Sequence, residues 1–166
     1  MAKFALYMEK TSLKGILMQG DEKLDTLIKR FNQFENWEDR YKELMQFGKE
    51  FDALDEKYQV DKFKINGCQS QVWLYPTLID GKIYFKADSD AVLVKGIVSL
   101  IVHAYSDRSP DEILNLGAQF IEKLGITEHL SMNRTNGIRS MLKKVQTYAM
   151  LFKTLVAKGV TNVDEI

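Results

Sequence analysis

The chain has one cysteine, and it lies in the stretch Asn66-Gly67-Cys68-Gln69-Ser70-Gln71-Val72-Trp73-Leu74. A lone thiol forms no internal disulfide and lacks the companion thiolates that a structural zinc site or an iron–sulfur cluster uses. Gly67, Gln69 and Ser70 are small or polar, so Cys68 is expected on accessible chain, not in an apolar core. One accessible sulfur with no resolving partner suits taking up and handing on a single atom or group. Two other chemistries use a single thiol. A hydrolase or acyltransferase pairs it with a histidine, and the chain offers His103 and His129. His103, however, stands in an apolar run, and no spacing brings His129 to Cys68. A peroxidase or redox sensor often has a second cysteine to resolve the oxidised thiol, and none is present. A stand-alone thiol enzyme is therefore the alternative reading.

The elements that must hold this stretch follow from periodicity. From Asp21, residues Leu24, Leu27, Ile28, Phe31 and Phe34 recur at helical spacing. Asn36 is a good N-cap for a second helix with Trp37, Tyr41, Leu44, Phe47 and Phe51 on one face. Phe63 and Ile65 alternate with Lys62 and Lys64 as in a half-buried strand. Val72 to Ile79, the Asp80-Gly81 turn, and Ile83 to Phe85 predict a hairpin. Pro76 cannot donate to a ladder, so that strand is expected to be bulged or at an edge. Cys68 then falls on a loop between two strands, able to reach outward.

Residues from Leu93 to Tyr105 are apolar nearly all round, which predicts a central helix, with Gly96 allowing a close crossing. Ser109-Pro110-Asp111-Glu112 is a capping box with proline at the first helical position. It predicts a helix through Leu124 that Gly125 ends. A last helix is expected from about Thr135 to Lys158, with Gly159 as its stop. Helices, a small antiparallel sheet of about three strands, then helices make an α+β fold. Trp37, Tyr41 and Trp73 read as core aromatics.

Composition bounds the partners. The 166 residues are 45% hydrophobic and 28% charged, ordinary for one globular domain. Residues 1–20 read as an N-terminal extension and 21–166 as a single domain. Lys and Arg number 23, as do Asp and Glu. No net field draws the chain to nucleic acid or an anionic membrane. The longest apolar run, Val92 to Ala104, is too short to span a bilayer. One cysteine and no export-like N-terminus point to the reducing cytoplasm.

The segment Gly67-Cys68-Gln69-Ser70-Gln71-Val72-Trp73 resembles the signature of the SufE family. Three further segments agree in order: Asn36-Trp37-Glu38-Asp39-Arg40-Tyr41; Asp88-Ser89-Asp90-Ala91 with Val94-Lys95-Gly96; and Thr127-Glu128-His129-Leu130 with Asn133-Arg134 and Gly137. Ala87 stands where the family pattern often has glycine. The resemblance implies a compact α+β domain similar to the iron–sulfur scaffold proteins but without their extra ligands. It implies that Cys68 accepts sulfane sulfur from a pyridoxal-phosphate-dependent cysteine desulfurase of the SufS or CsdA type. The sulfur would pass on to a scaffold such as SufBCD. The pyridoxal phosphate would belong to the partner, leaving this chain without cofactor or metal. On that reading Gly67 acts as a hinge, and Gln69, Ser70 and Gln71 hydrogen-bond the loop. Asp90 and its neighbours form the wall against which the unpartnered loop folds back, partly covering Cys68, and Arg134 contacts the loop or the partner.

Overall fold

Asp21 starts the first helix: its carboxylate accepts the Leu24 N–H at 3.1 Å, and α1 runs Glu22–Asn32. Asn36 caps α2 (Trp37–Lys49) by accepting the Asp39 N–H at 2.8 Å. The computed structural model describes residues 20–166. The expected extension therefore lies, Gly20 apart, outside the described residues.

Two short 3-10 turns, Glu56–Tyr58 and Asp61–Phe63, lead to the hairpin β1 (Val72–Ile79) and β2 (Lys82–Ser89). Asp80 and Gly81 both have positive φ, 50° and 78°, as a type I′ turn requires. Then come α3 (Val92–Tyr105), α4 (Pro110–Leu116), α5 (Gln119–Lys123), a 3-10 turn at Thr127–His129, and α6 (Met132–Ala157). The fold is α+β. Helix α3 packs between α2 and β2, and α4 lies against α6.

The sheet has two strands instead of about three. Phe63 and Ile65 are buried as their alternation predicts, at 6% and 3% exposure. Phe63 nevertheless ends a 3-10 turn, and Lys64 makes only an isolated bridge to Trp73. The Ile65 N–H donates to the Val72 carbonyl, after which the chain turns away at Gly67. Pro76 sits in an unbulged register opposite Phe85. Its nitrogen faces the other side of β1, where the ladder consists of isolated bridges from Lys64 and Val163. Proline is tolerated there because no donor is needed.

The helix expected from Ser109 to Leu124 is broken. Its capping box forms as expected, but Gly117 at φ 68° divides α4 from α5. α6 starts at Met132, three residues earlier than expected, because Ser131 caps it through the Arg134 N–H. Beyond Gly159, at φ 86°, the tail returns to the sheet and Val163 pairs with Leu78.

The crossing of α2 and α3 is close, as Gly96 suggested. A Cβ on Gly96 would lie 2.4 Å from the Leu44 carbonyl oxygen, and one on Gly48 would lie 2.9 Å from Gly96 Cα. Ala87 pairs with Leu74 in the ladder and is outside the positive-φ region, so alanine serves there. Trp37 departs from its expected place in the core. It is 41% exposed, because the helix face it begins runs out beyond the packed interior.

Candidate functional site

The loop carrying Cys68 is pinned at both ends. At its base the Ile65 N–H donates to the Val72 carbonyl at 2.8 Å. At its far end Asp90 Oδ1 accepts the Gln71 N–H at 2.9 Å, and the Asp90 N–H donates to the Gln71 carbonyl at 3.3 Å. Between these points the loop lies against α6. Gly67 adopts φ 89°, and a Cβ there would sit 2.7 Å from Ser140 Oγ. The positive φ requires glycine, while the Ser140 hydroxyl is a rotatable end that could move aside. One turn earlier on α6, Gly137 receives the thiol. The Cys68 S–H donates weakly to the Gly137 carbonyl at 3.8 Å, and a Cβ on Gly137 would stand 3.3 Å from Sγ.

Cys68 is half-buried and lines a cavity of about 60 Å³. That is ample room for one atom the size of water or sulfur. Val94 and Ile97 of α3 and Gly137 and Met141 of α6 wall it, with Asn133 and Arg134 at the rim. Gln69 and Ser70 close the loop side, Gln69 exposed and Ser70 half-buried. Burial pushes the Cys68 thiol up from its ordinary value, so the resting sulfur is protonated near neutral pH. Among the described residues no histidine or carboxylate lines the cavity. His103 packs edge-on against Phe47 and Phe51, and burial, with Lys23, Arg30 and Arg108, lowers its pKa. His129 stacks on Trp37 with ring centroids 5.3 Å apart. Neither histidine lines the thiol's cavity. Among the described residues no group of three or more His, Cys, Asp or Glu is placed to hold a metal ion.

The expected site residues are therefore distributed between two jobs. Cys68, Gln69, Ser70 and Arg134 share the cavity, while Gly67 and Gln71 fix the loop's two shoulders. Of Asp90 and its neighbours, Val94 is part of the wall over the thiol, with Ile97 of α3 and Gly137 and Met141 of α6, while Asp90 itself does not line the cavity. Its short carboxylate reaches the Gln71 backbone instead and holds the loop's end. Val94, Ile97 and Met141 read in sequence as core faces. Their aliphatic side chains carry no chemical signal, and only packing reveals them as the lining.

The remaining motif segments position these walls. Arg40 donates to the carbonyls of Phe34 and Leu124. Gly125, at φ 65°, leaves room for its guanidinium. With the Trp37–His129 stack, this ties the start of α2 to the turn before α6. Tyr41 is half-buried, and burial raises its phenol while Arg134 opposes the shift. The buried Asp88 accepts the N–H groups of Leu54 and Ser89 and pairs with Lys95 at 3.6 Å. That anchors the β2–α3 corner from which Asp90 projects.

An α+β fold with one half-sheltered thiol, and both histidines packed elsewhere, defines a single-thiol protein. The chain belongs to the SufE family: the family model described as an Fe-S metabolism associated domain matches residues 25–149. It is 35% identical over 130 residues to an uncharacterized SufE-like protein of Synechocystis sp., covering 78% of this chain and 82% of that one. It is 38% identical over 132 residues to an uncharacterized SufE-like protein of Rhizobium etli, covering 76% of this chain and 88% of that one. The fold is also that of a hypothetical protein from Thermus thermophilus solved in solution. There the TM-score is 0.67 at 19% identity, covering 80% of this chain and 96% of the other. No helix among the described residues is long and apolar enough to cross a membrane.

Proposed function

We propose that this protein is a sulfur carrier that serves a cysteine desulfurase and passes sulfur towards iron–sulfur cluster assembly. The supporting observation is the only cysteine of the chain, on a loop clamped at both ends, half-sheltered beside a cavity large enough for one more sulfur. Membership of a family associated with Fe-S metabolism supports the same reading.

The transfer needs no external oxidant. Cys68, as thiolate, attacks the outer sulfur of the donor's persulfide. A new S–S bond forms on Cys68, the donor's S–S bond breaks, and the donor cysteine leaves as thiolate carrying the electron pair. The resting thiol is protonated, so the loop must leave its apolar seat and lose the proton inside the partner. The desulfurase, of the SufS or CsdA type, holds the pyridoxal phosphate. This chain contributes the acceptor and no cofactor, and is an accessory protein, not an enzyme by itself. On return, the cavity shelters the carried sulfur from reductants and oxidants until a scaffold such as SufBCD takes it. The reducing cytoplasm is the compartment that keeps such a thiol available.

Incubation with a desulfurase and cysteine, followed by intact mass measurement, tests this. The expected result is the added mass of one or more sulfur atoms and faster desulfurase turnover, both abolished in Cys68→Ser with the fold retained. No added sulfur and no stimulation across several desulfurases overturns it. Turnover of an ester or peroxide by the protein alone would establish the thiol-enzyme alternative.

A further inference from the structure

Helix α6 is electrically lopsided in a chain whose charges balance. Its 26 residues include Arg134, Arg139, Lys143, Lys144 and Lys153 and no Asp or Glu. Lys153 pairs with Asp111 at 2.7 Å. Just beyond the Cys68 loop, Lys143 and Lys144 join Lys64 in lining an open groove of about 340 Å³. Asn66, Ser140 and Thr147 add an amide and two hydroxyls, and among the described residues no acidic side chain lines it. Among the described residues, none of these three lysines has a carboxylate within ion-pair distance. Asn66 belongs to the stem of the Cys68 loop, and Ser140 is the residue against which Gly67 packs.

We propose that this groove docks an acidic segment of the desulfurase, a proposal that rests on the sulfur-carrier reading above. Cations clustered on one face without neutralising partners raise a local positive potential that favours a complementary acidic surface. The geometry suits one partner. Arg134 at the cavity rim and Lys144 in the groove are ten residues apart on one helix, a span of about 15 Å. A standard interface of about 800 Å² per partner covers that distance. A protein bringing its persulfide to Cys68 therefore meets the groove as well. Three lysines on one open groove offer several positive charges, which fits a run of Asp and Glu better than a single small anion. Nucleic acid is disfavoured, since the chain carries no net positive charge and, among the described residues, no aromatic face lines the groove for base stacking.

The test uses the full chain with its desulfurase. In Lys64→Glu/Lys143→Glu/Lys144→Glu, the concentration giving half-maximal stimulation should rise at least tenfold. Its dependence on salt should weaken, while Cys68 still loads with sulfur at saturating protein. Lys144 also lies over the Tyr148 ring at 5.1 Å. The double variant Lys64→Glu/Lys143→Glu spares that contact and should show the same direction with a smaller shift. An unchanged half-maximal concentration in both variants overturns the proposal. So does lysine-dependent binding of a single-stranded oligonucleotide with no change in desulfurase response. Failure of the wild-type protein to load sulfur at all would instead remove the carrier reading beneath it.

Discussion

Cys68 is held by opposing demands. Its sulfur must be reachable, yet at rest it lies within 3.8 Å of a helix carbonyl, in surroundings that keep it protonated. Gly137 makes that seat possible. In Gly137→Ala the new Cβ would press on Sγ at 3.3 Å, and the neighbour that can yield is the loop. The thiol should react several-fold faster with a small alkylating agent at neutral pH. Global stability should change by no more than about 1 kcal/mol, because alanine's better helix propensity offsets the lost packing. An alkylation rate equal to wild type would show that the loop does not rest on Gly137. The cysteine, Gly67 and the polar loop residues were legible as a candidate site because their types are unusual together. Asp90's grip on the Gln71 backbone was not, since a short carboxylate in sequence does not reveal which distant N–H it meets.

At the scale of elements, the α2–α3 crossing sets the cavity. Val94 and Ile97 flank Gly96 on α3, so whatever moves that helix moves the wall of the thiol's seat. In Gly96→Ala the Cβ would overlap the Leu44 carbonyl at 2.4 Å, a backbone atom that cannot swing aside. A loss of about 2 kcal/mol or more is expected from overpacking, read as a lower urea midpoint. A variant as stable as wild type would mean the two helices slide apart freely. Helix starts were the best-read features, because Asp21, Asn36 and Ser109 cap through local hydrogen bonds that sequence spacing encodes. The break at Gly117 and the loss of the third strand were not read. Each depends on partners remote in sequence. Tyr105 donates to the Gly117 carbonyl at 2.8 Å. The strand around Lys64 loses its ladder because the chain must turn towards α6 at Gly67.

For the whole molecule, charge and burial combine at His103. Burial, then Lys23, Arg30 and Arg108, lower its pKa in the folded state, while Glu50 partly opposes them. The unfolded chain binds a proton at about 6.5. As pH falls through that value, the unfolded state takes up the proton more readily, so folded stability declines. His103→Gln should flatten the fall in urea midpoint between about pH 7 and pH 5. An identical pH slope in the variant would show that other groups set the acid limit.

The sequence by itself determined the α+β class, the Asn36 and Ser109 caps, the hairpin turn and the presence of a single thiol among polar residues, because these rest on local periodicity, turn chemistry and residue type. Only the tertiary structure decided where the thiol rests, that aliphatic residues of α3 and α6 line its seat, and that Lys143 and Lys144 of α6 face one groove with Lys64. Those outcomes depend on which distant surfaces meet. Packing and long-range hydrogen bonds fix that choice, and neither leaves a periodic mark in the chain.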